Sequence, residues 1–173
     1  DAQGQVVGLG AAVGEEEPVE WGVEGREQGF RVVTIVDPGV KVDENYSVYT
    51  EGRKKDLYCK TRDGEEYQNA VWPGVCAFPD FTNPETRRWW GENQRVLTDA
   101  GVAGIWCDMN EPALFIPDGA TMPDDVVHPG GRTGEARWHA QIHNTYGSLM
   151  ARAAREGLLA LRPDERPFVI TRA

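Results

Sequence analysis

Cysteine is scarce in this chain, and the way it is used excludes two kinds of site. The three cysteines, Cys59, Cys76 and Cys107, are odd in number and far apart, so they form neither a disulfide framework nor a CxxC metal site. Free cysteines are typical of proteins in a reducing compartment. The cysteine usage therefore favours a cytoplasmic location. No other feature of the sequence decides the location.

Basic residues and long apolar runs are also few. The 173 residues include 18 Lys and Arg against 28 Asp and Glu, which gives a formal net charge of -10. Because nucleic-acid binding depends on Lys and Arg neutralising phosphates, we expect no nucleic-acid partner. No apolar run approaches the roughly 18–20 residues that span a bilayer, so we expect no membrane partner either. The sequence does not predict an oligomeric state.

Tryptophan and short β-branched runs are what the sequence does contain. Six tryptophans weakly favour a ligand site, because Trp lines the flat faces of ligands as well as cores and interfaces. Apolar runs at 30–36, 102–107 and 168–171 predict short strands, and the β-branched run at 30–36 is typical of a strand buried on both faces, as in a parallel sheet. These runs are the first indication of an α/β fold.

Two helices are predicted between these strands. Asn83 as the N-cap and Pro84 at the first helical position begin a helix over 84–100. A second helix is predicted over 135–156, with Gly157 ending it. Strands that alternate with helices predict an α/β fold with a parallel sheet.

Two segments fall outside this alternation. The Asp63-Gly64 pair predicts the turn of a β-hairpin whose arms cover 57–61 and 67–72. Residues 1–28 are rich in Gly, Ala and Glu and predict a loose, poorly ordered start, with a short helix possible over 19–28.

Polar residues directly follow each predicted strand: Asp37, Asp108 and Arg172. In parallel α/β folds the carboxyl ends of the strands open onto the pocket, so reactive residues are expected there. Trp106 lies on the same side of its strand as Asp108, and glycoside hydrolysis uses a pair of carboxyl groups across the scissile bond. The alternative is that Asp108 caps a helix or pairs with an arginine, and its position alone favours that alternative over a catalytic role.

The string GIWCDMNEPALF at 104–115 resembles the nucleophile signature of glycoside hydrolase family 31, whose pattern is Trp-x-Asp-Met-Asn-Glu after an apolar strand. Four further segments resemble family segments in the family's order: VVTIVDPGVKVD at 32–43, VWPGVCAFPDFTNPETRRWWG at 71–91, IHNTYG at 142–147 and FVITRA at 168–173. The chain is therefore identified as a member of that family, over 29–173.

The resemblance implies a fold, a domain organisation and an activity. The fold would be part of a (β/α)8 TIM barrel with a β-hairpin insertion, formed by 29–173, while 1–28 match the family poorly. The activity would be that of a retaining α-glucosidase, which hydrolyses terminal α-linked glucose from oligosaccharides through a covalent glycosyl-enzyme intermediate. An α-xylosidase or transglucosidase of the same family, or a non-catalytic carbohydrate-binding remnant, stays open.

The resemblance also implies roles for individual residues. Asp108 matches the nucleophile and Glu111 matches an acidic residue that supports the loop. Positions that contact the substrate are matched by Ile35, Trp72, Trp106, Met109 and Arg172. The family's acid/base residue lies beyond the FVITRA segment, so we expect an internal fragment that is inactive when isolated. Neither a metal nor an organic cofactor is implied.

Some residues remain open or are expected to be structural. For Asp37, holding the loop after its strand and contacting the sugar are equally plausible roles. His139 and His143 are spaced as two ligands on one helix face, but the Glu of HExxH is missing, so packing is favoured over zinc binding. Cys107 and the pair Trp89-Trp90 are expected to pack in the core.

Overall fold

The computed structural model describes residues 27–115, 121–131 and 134–172. The helix predicted over 19–28 and most of the loose start predicted at 1–28 lie outside the described residues. Among the described residues, no helix combines the length and the apolar character that crossing a membrane requires.

Short strands alternate with helices along the described part of the chain. In order, the elements are β1 (Val33–Val36), β2 (Val40–Lys41), α1 (Ser47–Lys54), β3 (Gln68–Val71), β4 (Gly74–Ala77), α2 (Pro84–Asn93), α3 (Arg95–Asp99), β5 (Gly104–Cys107), β6 (Val127–His128), β7 (Arg137–Trp138), α4 (His139–Leu161) and β8 (Val169–Thr171).

The main sheet is parallel. Its strands pair side by side in the order β1-β5-β8, and Val36, Cys107 and Thr171 lie opposite one another at the carboxyl ends. The helices α2 and α3 lie between β1 and β5 in sequence, and α4 lies between β5 and β8. Two consecutive βαβ units therefore build the sheet, and the predicted α/β fold with three parallel strands is confirmed.

The β-hairpin insertion is present, but its two strands are joined by a different turn from the one predicted. The hairpin consists of β3 and β4, which pair antiparallel on either side of Trp72 and Pro73, and β2 pairs with the far edge of β4. At Asp63-Gly64 a turn does form, but the pairing after it is short: Lys60 and Glu66 form an isolated bridge, and the Tyr67 N–H donates to the Cys59 carbonyl at 2.9 Å.

Long-range hydrogen bonds explain why the predicted hairpin does not extend. The Cys59 N–H donates to the Phe78 carbonyl at 2.8 Å, and the Lys60 N–H donates to the Val127 carbonyl at 2.9 Å. Because these backbone groups already bond to distant partners, the arm before Asp63 cannot pair along its whole length with the arm after it.

The single helix predicted over 84–100 is two helices. Its start is as predicted, because the Asn83 side chain accepts a hydrogen bond from the Glu85 N–H at 2.9 Å. The break follows Asn93, where the Gln94 N–H donates to the carbonyl of Gly91, only three residues back. This tighter turn interrupts the α-helical pattern before α3 begins.

The last helix begins and ends later than predicted. Residues 137–138 pair as β7 with β6, which delays the start of α4 to His139. Gly157 does not end the helix; it lies inside α4, against Gly91 of α2. A Cβ added at Gly91 would come within 2.7 Å of the Gly157 Cα. These two glycines therefore allow the backbones of α2 and α4 to pack in direct contact.

The core between α2 and α4 contains the tryptophans of α2. Trp89 and Trp90 are 1% and 5% exposed, and the Phe81 ring contacts both Trp90 and Tyr146, with ring centroids 5.2 Å apart in each pair. The packing role predicted for Trp89 and Trp90 is confirmed.

Replacing Gly91 with Ala should destabilise the complete gene product that contains this chain. In an exposed helix the change would stabilise by about 0.5–1 kcal/mol, but here the added methyl group overpacks the helix crossing at a cost of about 1–3 kcal/mol. Denaturant unfolding measures the difference, and Ser148→Ala on the exposed side of α4 is the control. A Gly91→Ala variant as stable as the Ser148→Ala control would contradict the close helix contact.

Candidate active site

The carboxyl ends of the three parallel strands bring the predicted residues together. Asp37, Asp108 and Arg172 directly follow Val36, Cys107 and Thr171, which are aligned in register. The Asp108 N–H donates to the Val36 carbonyl at 3.2 Å, so the pairing continues past the strand ends. Asp108 follows the middle strand, between Asp37 and Arg172.

A sharp turn after Asp108 is held by a residue that sequence reasoning missed. Met109 has a positive φ of 50°, and Asn110 after it is fully buried. The Asn110 Nδ2 donates to the Thr171 Oγ1 at 3.0 Å and lies 3.4 Å from the Gly147 carbonyl oxygen. These bonds tie the turn to β8 and α4. Only its place inside the signature could have singled out Asn110.

Arg172 connects the two carboxyl groups of the signature. Its Nε lies 2.9 Å from Glu111 Oε1, and its Nη1 lies 3.5 Å from Asp108 Oδ1. The same Nη1 contacts the Met109 sulfur at 3.4 Å. The longer contact to Asp108 is an ion pair without a hydrogen bond. One guanidinium therefore serves both carboxyl groups and holds Glu111 more closely than Asp108.

Asp37 lies on the other side of Asp108 and is 8% exposed. Burial raises the pKa of Asp37 to about 6, and the charge of Asp108 adds to the rise, while Arg172 opposes it. The low exposure favours the role of Asp37 within the protein over direct contact with a sugar.

The two faces of the sheet differ in exposure, which agrees with the positions predicted for Trp106 and Cys107. Ile35 and Trp106 lie opposite each other and are partly exposed, whereas Cys107 is fully buried. Because side chains alternate along a strand, Trp106 and Asp108 share a side and Cys107 points to the other. The core position predicted for Cys107 is confirmed.

An exposed aromatic pair lies at the tip of the β-hairpin insertion. Trp72 is 67% exposed, and its ring meets that of Phe115 edge to face, with centroids 4.7 Å apart. The Phe115 N–H donates to the Ala70 carbonyl at 3.0 Å. The loop that follows Asp108 is thus joined to the hairpin that carries Trp72. Phe115 was not predicted as a site residue, although it ends the signature string.

The histidines form a hydrogen-bonded row inside the fold. His139 Nε2 lies 3.1 Å from His143 Nδ1, and His139 Nδ1 lies 3.1 Å from His128 Nε2. Burial lowers the pKa of His139 to about 3, and the charges of the two neighbouring histidines add to this. No group of three side chains suited to a metal ion occurs among the described residues. The packing role predicted for His139 is confirmed. His128 also belongs to this row of histidines, which the sequence did not reveal.

Comparisons with known proteins identify the family that the sequence segments resemble. The model of the glycosyl hydrolases family 31 TIM-barrel domain matches residues 17–173. Alpha-glucosidase 2 of Bacillus thermoamyloliquefaciens is 47% identical over 148 residues, which cover 86% of this chain. Neutral alpha-glucosidase AB of Mus musculus is 44% identical over 148 residues, covering 83% of this chain.

The fold is similar to solved structures of the same kind. A crystal structure of the glucosidase II alpha subunit bound to Glc1Man2 superposes with a TM-score of 0.80 and 33% identity, covering 97% of this chain and 20% of that one. The chain spans 18% of the length of the Bacillus relative and 15% of the mouse relative. The chain belongs to glycoside hydrolase family 31, and its described residues form part of the family's TIM-barrel domain.

Proposed function

We propose that the complete gene product is a retaining α-glucosidase that releases terminal α-linked glucose from oligosaccharides, and that Asp108 is its nucleophile. The observation that carries this proposal is the position of Asp108 at the end of the middle strand, with Arg172 beside it and Trp106 on its side. Asp108 is half-buried, so its carboxyl group is both held in place and open to a substrate. The α-glucosidase names of the relatives support the choice of sugar.

The chemistry begins with attack of an Asp108 carboxylate oxygen on the anomeric carbon. A bond to that carbon forms as the bond to the leaving oxygen breaks, and the leaving oxygen takes a proton from a second carboxylic acid. Water then attacks the same carbon, the acid now acts as base, and the Asp108 carboxylate is released. Two inversions at one carbon give net retention of configuration.

Neither of the two carboxyl groups beside Asp108 is suited to the acid/base role. Glu111 is held at 2.9 Å by Arg172, and Asp37 is buried. Glu111 supports the loop by fixing the arginine. We propose that the acid/base residue follows the FVITRA segment, as the family resemblance implies.

Substrate contacts are proposed for the residues that surround Asp108. Ile35 and Trp106 line the floor of the pocket, Met109 and Arg172 flank the nucleophile, and Trp72 forms a wall from the hairpin. An exposed indole is suited to the apolar face of a pyranose ring.

The three cysteines are free and buried, which supports a cytoplasmic location.

The proposal is tested by the stereochemistry of the first product. The complete gene product is incubated with 4-nitrophenyl α-glucoside, and proton NMR records which anomer of glucose forms before mutarotation. α-Glucose as the first product supports the proposal. β-Glucose as the first product, no release at all, or faster release from 4-nitrophenyl α-xyloside would contradict it.

The isolated 173-residue chain should release no glucose from maltose. A general acid contributes about 10²–10⁴-fold, and neither carboxyl group beside Asp108 is placed to act as one. Glucose release is measured against a buffer blank, with the complete gene product as the positive control. An aryl α-glucoside with a good leaving group is the sharper substrate, because it needs little help from an acid. Turnover of maltose by the isolated chain would show that an acid lies within it.

A further inference from the structure

One carboxyl group of the site has no part in the chemistry described above. Asp37 is only 8% exposed, so it cannot reach a sugar as Asp108 can. Its Oδ1 is buried and has no hydrogen-bond partner among the described residues. A buried polar atom without a partner is costly and needs a physical explanation.

The strand register places this group next to the proposed nucleophile. Val36 and Cys107 are paired residues of neighbouring parallel strands, and Asp37 and Asp108 follow them directly. The backbone bond from the Asp108 N–H to the Val36 carbonyl keeps the two strand ends together at 3.2 Å. Neighbouring strands lie about 4.8 Å apart, so Asp37 and Asp108 are neighbours across the sheet, and the charge of Asp108 acts on the Asp37 carboxyl group.

Acceptor atoms outnumber donors at this point of the fold. Buried oxygens without a partner among the described residues occur on Asp37, Asp108, Asn110 and Glu111. The nearby guanidinium of Arg172 is already bonded to Glu111 and only reaches 3.5 Å from Asp108. Among the described residues, three carboxyl groups thus share one cation, and a proton on one of them would supply a missing donor.

We propose that Asp37 is a positioning residue that carries a proton and donates a hydrogen bond to Asp108, which leaves the other Asp108 oxygen aimed at the anomeric carbon. This inference rests on the proposed function of Asp108. It assigns the proton to Asp37 because Asp37 is the more buried of the two and lies farther from Arg172 in the strand order. Arg172 then holds Asp108 from one side and Asp37 holds it from the other.

The charges around Asp37 agree with this assignment. Burial raises the pKa of Asp37 to about 6, with Asp108 and Glu111 adding to the rise and Arg172 only partly opposing it. The hairpin side contributes Cys76 of β4, whose pKa burial raises to about 11, with Lys41 of β2 opposing and Asp37 adding to the rise. A protonated Asp37 therefore persists below about pH 6 and is lost above it.

Three variants of the complete gene product separate a hydrogen-bond donor from a merely structural side chain. Asp37→Asn keeps the shape and provides a permanent N–H donor, whereas Asp37→Ala removes the donor. Asp63→Asn, in the exposed turn, is the control for loss of one negative charge. The substrate is α-glucosyl fluoride, because fluoride leaves with little help from an acid and kcat/KM then reports the attack by Asp108.

The expected result is a difference in pH profile. In the wild-type protein kcat/KM should fall as the pH rises through about 6, because Asp37 loses the proton that it donates. Asp37→Asn should lack this fall and stay within about tenfold of the wild type at about pH 5, while Asp37→Ala should lose about 10²-fold. A profile for Asp37→Asn that falls like that of the wild type would overturn the proposal. So would an Asp37→Asn variant as impaired as Asp37→Ala.

A stability measurement gives a second readout that needs no activity. A carboxyl group whose pKa is raised by folding stabilises the protein below its unfolded pKa, and that stability is lost as the pH rises through the folded value. The Tm of the wild type relative to Asp37→Asn should therefore decrease between about pH 4 and about pH 7, with Asp63→Asn showing no such trend. A Tm difference that is independent of pH would contradict the claim that Asp37 carries a proton in the folded protein.

The two proposals fail in different ways. A wild-type protein that releases no fluoride contradicts the α-glucosidase activity, and the role of Asp37 beside the nucleophile falls with it. An active wild-type protein that Asp37→Asn and Asp37→Ala both match in rate and pH profile contradicts the role of Asp37 alone.

Discussion

Replacing Asp108 with Asn should abolish glucose release by the complete gene product, with kcat lower by about 10⁴-fold or more, as expected when a nucleophile is removed. Asn has the same shape but cannot form the glycosyl ester. Glu111→Gln should lose only about 10²-fold, because Glu111 acts through Arg172 and its loss shifts the arginine without removing the attacking group.

Chemical rescue makes this comparison sharper. In Asp108→Gly the attacking group is gone and space is left in its place, so added azide should attack the anomeric carbon of an aryl α-glucoside and yield β-glucosyl azide. The matched variant Glu111→Gly keeps the nucleophile and should form no β-glucosyl azide. Rescue of Glu111→Gly, with none for Asp108→Gly, would show that the two roles are reversed.

The isolated 173-residue chain should not unfold as a cooperative unit. The sheet leaves the outer edges of β1 and β8 without a partner among the described residues. Phe30, Phe168 and Ile170 at these strands are 40–51% exposed, and exposed apolar surface costs roughly 25 cal/mol per Å².

That cost is large compared with the total stability of a domain, which is about 5–15 kcal/mol. Circular dichroism of the isolated chain should therefore show helix without a sharp thermal transition, whereas the complete gene product should melt cooperatively. A monomeric isolated chain with one sharp, reversible transition would contradict this view of the fold.

Local signals predicted the strands and the strand-end residues well. Each parallel strand lies within a short, largely apolar run, and the polar residue after each run lies at the carboxyl edge of the sheet, as Asp108 and Arg172 show. The start of α2 was also predictable, because its Asn83 cap bonds to a backbone group only two residues away.

Features that depend on distant partners could not be read from the sequence. The Asp63-Gly64 turn forms, but distant backbone groups bond to Cys59 and Lys60 and prevent a long hairpin. Glycine is common at helix ends, which is why Gly157 was expected to end α4. Its actual role depends on Gly91 in another helix. The partner of Phe115, Trp72, is likewise far away in sequence.

The most direct test of the proposed mechanism is to locate the covalent intermediate. The complete gene product is incubated with 5-fluoro-α-glucosyl fluoride, whose glycosyl ester is hydrolysed slowly, and peptide fragments are sequenced by tandem mass spectrometry. We expect a 5-fluoroglucosyl group on Asp108, within the peptide that contains residues 104–115, and no label on the Asp108→Asn variant. A label on Glu111 or Asp37, or turnover with no covalent label at all, would contradict the assignment of Asp108 as the nucleophile.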